Sequence, residues 1–224
     1  AVQNDPDAHY LLARMLVNRR ENQEALTHLT EAQRAIPDSP DLLLLSAQAH
    51  LGSQQTLLAQ QLLHRLIGLS ATSNLWPRRK EWALAHLMLA DLEPSFAARH
   101  QAEAWSIHPN TAAEFYFLRN QEMARVLETF KSEAESRPWD WYAQANYGLG
   151  LLENGDPGQA VARLRRAADL APGKESLRFE LARALSKIGE KEEALEILEE
   201  LLRILPECSL LTRVRNLQSQ LKIN

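Results

Sequence analysis

Cysteine is almost absent: Cys208 is the single one in 224 residues. No intrachain disulfide can form, and no zinc site built on cysteine thiolates. One cysteine fits a reducing compartment and fits a periplasmic helical protein equally well, so cytoplasm and periplasm both stay open. Positive charge is not in surplus either. The 25 Lys and Arg face 29 Asp and Glu, a net of -4, and the basic residues are spread along the chain. Nucleic-acid binding, which wants a clearly positive surface, is not expected. Long apolar runs are also missing. A membrane-spanning helix needs roughly 18 apolar residues in succession. The longest stretches here, such as Leu42 to Leu45, are short, so no membrane insertion is expected. Ala1 to Asp7 carry neither a basic n-region nor an apolar h-region, and no signal peptide is read there. The chain opens without Met just before a helical pattern, which reads as a segment cut from a longer protein.

Reactive chemistry is equally scarce. The seven histidines include no His-Glu-x-x-His and no pair at i, i+4. His9 and His50 fall on first helices of the pairs described below, and His28, His64 and His100 on second helices. They read as structural or solvated, with no metal site. Ala171-Pro172-Gly173-Lys174 lacks the upstream Gly of a phosphate loop, and Glu175 follows where Ser or Thr is required, so it is a helix stop. Glu192-Glu193 and Glu199-Glu200 lie on a solvated helix face, where nothing would shift a carboxylate toward catalytic values. No nucleophile–base arrangement is recognisable. No catalytic residue and no cofactor are expected, and the chain is read as no enzyme in itself.

What the sequence does have is a period. Ala13, Ala25, Leu29, Ala32 and Pro37 recur 34 residues on as Ala47, Ala59, Leu63, Leu66 and Ala71. Gly148, Ala160, Leu164, Ala167 and Pro172 recur at the same interval as Ala182, Ala194, Leu198, Leu201 and Pro206. Repeats of this length are stacked supersecondary units. Each unit reads as two helices, A and B. Trp141 to Glu153 is an A helix, Asn154-Gly155-Asp156 a turn, and Ala160, Leu164, Ala167 and Leu170 the apolar stripe of a B helix that ends at Pro172-Gly173. Small residues at the eighth and twentieth positions let A and B approach, and large ones fill the space between units.

This pattern resembles the tetratricopeptide-repeat family, through the Tyr147-Gly148 pair, the Gly155-Asp156 turn and the small and large residues at fixed places. The resemblance covers nearly the whole chain. It implies an all-α fold: an α-solenoid of stacked antiparallel helix pairs in a right-handed superhelix, with about six repeats and a C-terminal capping helix. The expected repeats span about 6–39, 40–73, 78–111, a short irregular 112–140, 141–174 and 175–208, with the cap at 209–222, all in one array over 1–224. Two departures stand out. Ala71 to Pro109 is 38 residues and Pro109 to Pro138 is 29. Ser73 to Pro77 reads as an extended linker, and the short unit as an A helix over Ala112 to Leu118 with a B helix from Gln121 to Ser136. Either loops absorb the difference, or the twist of the array changes there. Leu210, Leu211, Val214, Leu217 and Leu221 give the last helix one apolar face, which suits a cap or a partner-binding helix.

The resemblance also implies function: a protein-interaction scaffold that holds a peptide or protein segment along an inner wall of A helices. The inward positions expected there are Tyr10, Arg14, Asn18, Gln48, Arg79, Trp82, His86, Asn120, Tyr142, Asn146, Phe179 and Arg183. Aromatics give rigid contact area, and Asn can bond an extended backbone as donor and acceptor. Trp82 is the expected anchor. Arg78, Arg79 and Lys80 oppose the helix dipole, as a contact surface would or as solvated side chains would. The branch of the family that grips chaperone C-termini is not matched: the fifth positions read Tyr10, Leu44, Trp82, Ala145 and Phe179, none of them the required Lys. A homodimer through an edge or the terminal helix is the second reading. The third is a repeat arm of a larger enzyme, such as a glycosyl- or sulfotransferase, or of a cell-envelope assembly or secretion factor.

Overall fold

The structure, a computed structural model, describes residues 5–72 and 80–223. Among these residues every regular element is helical: thirteen α-helices and one 3-10 turn, with no strand. The expected linker Ser73 to Pro77 and the cations Arg78 and Arg79 lie outside the described residues. Lys80 opens a helix, with its ammonium 3.9 Å from Glu81.

The chain divides into two units, Ala1–Phe115 and Tyr116–Asn224. The first holds α1 (Pro6–Asn18), α2 (Asn22–Ala35), α3 (Pro40–Gly52), α4 (Thr56–Thr72), α5 (Lys80–Leu92), the 3-10 turn Pro94–Phe96 and α6 (Ala97–Ile107). The division falls within α7 (Pro109–Phe117). The second unit holds α8 (Met123–Ser136), α9 (Trp141–Glu153), α10 (Pro157–Leu170), α11 (Glu175–Ile188), α12 (Lys191–Ile204) and α13 (Ser209–Ile223). Within each unit every helix packs on the next in sequence, α1 to α6 in the first and α8 to α13 in the second. The last helix, α13, also packs on α11 and buries Leu211 and Val214.

Helix starts follow local chemistry. Pro6, Pro40 and Pro157 stand in the first turns of their helices, where a proline ring fixes φ and loses no intrahelical bond. Carboxylates close the free amides beside two of them: Asp5 accepts from Asp7 at 3.0 Å and Asp156 from Gln159 at 3.1 Å. Asp140 does the same for Tyr142 at 2.9 Å. A capped proline also corrects the irregular repeat. His108 Nδ1 accepts from the Thr111 amide at 3.2 Å, with Pro109 just behind it. The A helix therefore begins at Pro109, not Ala112, and stops at Phe117; its B partner begins at Met123, not Gln121.

The repeating positions form the core. Ala13, Ala25, Leu29 and Ala32 pack with Leu42, Leu45 and Ala49. Ala47, Ala59, Leu63 and Leu66 pack with Leu43, Leu44, Trp82, Ala85 and Leu89. Ala160, Leu164, Ala167, Ala182, Ala194, Leu198 and Leu201 are all fully buried in the second unit. Each buried Leu contributes roughly 1.5–3 kcal/mol relative to exposure. Small residues matter where helices touch. A Cβ on Gly148 would lie 2.8 Å from Leu164 Cγ, and one on Gly150 2.9 Å from Leu127 Cδ2. Except between α5 and α6, the A-to-B turns share a left-handed residue: Asn120 (φ 53°), Gly155 (84°) and Gly189 (88°) in the second unit, Arg20 (65°) and Gln54 (62°) in the first.

Candidate functional site

In the second unit, α9 and α11 present neighbouring faces. Tyr142, Asn146 and Glu153 stand at turn spacing along α9. Tyr142 is 47% exposed, and its ring meets Trp141 edge to face at 5.5 Å. Asn146 is half-buried. Glu153 pairs with Arg183, one turn past Phe179 on α11. Phe179 itself is buried, with the Arg213 guanidinium of α13 lying 4.4 Å from its ring centroid. Between α11 and α13 opens a 420 Å3 cavity lined by Phe179, Arg183, Ser186, Lys187, Arg213, Asn216, Leu217 and Gln220. Three cations and no carboxylate line it. Glu180 lies behind them and accepts from Arg213 at 2.9 Å. The Nε–H of Arg183 is buried without a hydrogen-bond acceptor. Lys187 is exposed and forms no ion pair within the described residues. Tyr142, Asn146 and Arg183 thus stand on the α9 and α11 faces, whereas Phe179, expected on the inner wall, is buried beneath Arg213; the cavity adds Lys187, Arg213, Asn216 and Gln220, which the sequence reading did not name. Arg213 and Asn216 come from α13, and Lys187 sits two turns beyond Phe179 on the same face.

Of the remaining expected positions all but Asn120 belong to the first unit. Asn120 sits in the α7–α8 turn with φ 53°, because α7 ends at Phe117; it is exposed and on no helix face. Tyr10 is half-buried on the core of the first unit, with Arg14 5.7 Å over its ring, and Asn18 is the exposed last residue of α1. Gln48 is half-buried on α3. Arg79 lies outside the described residues. Trp82 is a correction. It is 3% exposed, packed among Leu43, Leu44, Leu63 and Leu66, and its indole N–H donates to the Leu66 carbonyl at 2.8 Å. Its ring ties α5 to α4 and offers no face to a partner. Burying a large apolar ring with its N–H satisfied outweighs exposing it.

His86 is the second correction. It does not face outward from an A-helix wall but is buried against α6, its Nδ1 2.9 Å from Nδ1 of His100. His100 Nε2 lies 3.4 Å from one oxygen of Glu93, and His64 Nε2 lies 2.7 Å from the other. Three of the histidines therefore meet: His64 and His100 on the Glu93 carboxylate, and His86 on His100. They line a 490 Å3 cavity with Ile67, Phe96, Arg99, Glu103 and Ile107. His9 and His28 form a second such contact, Nδ1 to Nδ1 at 2.8 Å. Burial, with His100 adding to it, holds His86 down from 6.5 to about 4. The hydrogen bond from His64 holds Glu93 below the usual carboxylate range. Among the described residues no three His, Cys, Asp or Glu side chains are placed to hold a metal ion. The sequence held one signal of this contact: His28 and His100 take the same place in the repeats that begin at Pro6 and Arg78.

The chain matches the tetratricopeptide repeat over residues 1–40 and again over 151–221. The stretch with altered spacing lies between the two matches. No match is found among curated proteins. Among solved structures, yeast Tom70 is similar over 97% of this chain and 47% of its own, at 15% identity and a TM-score of 0.73. A tetratricopeptide repeat protein from Parabacteroides merdae is similar over 98% of this chain and 84% of its own, at 15% identity and a TM-score of 0.57. The APC/C hetero-tetramer Cut9-Hcn1 gives 13% identity over 97% of this chain and 43% of that one, with a TM-score of 0.57. Identities this low speak for the fold, and the fold they share is the stack of helix pairs seen in both units. With the same repeat matched near each end and its buried positions recurring between, the chain belongs to the tetratricopeptide-repeat family.

Proposed function

We propose that this chain docks an extended, acidic segment of a partner protein on the α9–α11–α13 face of its second unit. The family's general role is a protein-interaction scaffold, and its members are generally non-catalytic. Cut9 is itself seen in a hetero-tetramer with Hcn1, which is consistent with such a role. The observation that carries the finer reading is the lining of the 420 Å3 cavity: Arg183, Lys187 and Arg213 around the Phe179 ring, and no carboxylate. An acidic side chain entering there meets Lys187, which forms no ion pair among the described residues, and the half-exposed Arg213. Asn216 and Gln220, one turn apart on α13, can each donate to and accept from a peptide backbone. Tyr142 and Asn146 extend the same face along α9 for the flanking residues.

An array of short synthetic peptides tests this, acidic against charge-neutralised, probed with the native chain and with a Lys187→Glu, Arg213→Glu variant. The acidic peptides should be retained, less so as salt rises, because exposed charges are screened over about 10 Å at 0.1 M. Retention by the variant should fall by roughly tenfold or more, as loss of two charge-assisted contacts implies. Equal retention of neutral peptides, or an unaffected variant, contradicts the reading.

A further inference from the structure

Glu93, in the turn after α5, is held from two sides: His64 of α4 on one oxygen and His100 of α6 on the other. The second ring nitrogen of His100 meets His86 of α5. One hydrogen-bonded relay thus links three helices and closes over the 490 Å3 cavity that separates α4 from α6. We propose that this relay is an acid-released latch, which holds α4 and α6 together across α5 while His86 and His100 share one proton and lets them part when a second proton enters. The Nδ1···Nδ1 contact at 2.9 Å needs one N–H and one lone pair. His100 gives its Nε2–H to Glu93, so its Nδ1 accepts from His86, and a proton added at that Nδ1 sets N–H against N–H and breaks the contact.

The surroundings make a proton on His86 itself disruptive as well. From α6, His100 and Arg99 oppose charge on His86 and Glu103 favours it; from α4, His64 opposes it. His86 is 8% exposed, so a charge formed there lacks water as well. Relief comes by admitting water, and the adjoining cavity is the route. Its opening uncovers Ile67 and Ile107, which are half-buried. The His9–His28 contact shares the one-proton geometry but joins only α1 to α2, with no carboxylate link to a third helix.

Amide hydrogen exchange on the whole chain, corrected for intrinsic rates, tests the latch between about pH 7.5 and pH 5, the range in which histidine charge changes. Protection in α4, α5 and α6 should fall by roughly tenfold or more, while α9 to α12 keep theirs. A His86→Leu variant should show no acid-dependent loss in those helices. Unchanged protection in the native chain, equal loss in the second unit, or the same loss in the variant overturns the proposal. Should that variant not fold, proton NMR on the native chain decides. The His86 ring signals and the amide shifts of α4 and α6 should move together on acidification, and amide shifts that move at a different pH from His86 overturn the latch.

Discussion

At the residue scale, the close-packed positions show why two glycines stand in α9. The Leu164 side chain fills the space that a Cβ on Gly148 would need, at 2.8 Å, and it is fully buried with no room to retreat. Gly148→Leu should cost about 1–3 kcal/mol by overpacking. For a chain of this size each kcal/mol lowers the melting temperature by roughly 2–4 °C. A variant that melts within about a degree of the native chain would mean that α9 and α10 do not meet there. Such small positions were legible from the period. Gln144 was not. It is completely buried, donates to the Ala134 carbonyl at 2.7 Å and accepts from Arg163 at 3.3 Å, so it joins α8, α9 and α10. A Gln among alanines has no local signature of such a role, since its partners come from other helices. Trp82 misled for the same reason. Its place in the repeat was readable, but the carbonyl that satisfies its indole lies sixteen residues away on α4.

At the element scale, the turns show how far a sequence motif reaches. Gly155 and Gly189 announce the left-handed residue between A and B helices. Arg20 and Gln54 take the same conformation without the glycine, and nothing in their chemistry signals it. An L side chain there costs roughly 1–2 kcal/mol. Arg20→Gly and Gln54→Gly should each raise stability by about 0.5–1 kcal/mol, after the extra chain entropy of glycine is set against the relieved strain. Denaturant titration reads this as a higher midpoint with an unchanged slope. A lower midpoint in both variants would show that the turns are not strained. The irregular repeat was legible as a deletion but not in its register, because the capping group that starts α7 is a histidine, His108, instead of the usual Ser, Thr, Asp or Asn.

At the scale of the whole molecule, the period was enough to read the all-α repeat fold, because the same buried positions recur in both units. The proposed docking face was less legible, because half of the cavity lining comes from α13, which lies outside the repeat frame. The histidine relay was least legible, being built from α4, α5, the turn after it and α6. It has a consequence for stability. Folding holds His86 at about 4 against 6.5. Below 6.5 the unfolded chain therefore takes up the proton first, and the stability that neutral His86 contributes is lost as the pH falls toward 4. Glu93, also depressed, contributes in the same direction and loses its share as the pH falls through its lowered value. The melting temperature should fall steadily on acidification through this range. A constant or rising melting temperature would contradict the burial of His86. Photo-crosslinking in the source cell tests the docking face. A photoreactive amino acid is placed at Asn216 or Asn146, and as controls at Glu192 and Glu196 on α12. The account predicts adducts with a partner's acidic segment from the first two positions, lost with Lys187→Glu and Arg213→Glu, and none from α12. Adducts from α12 alone, or only with a second copy of this chain, would contradict it.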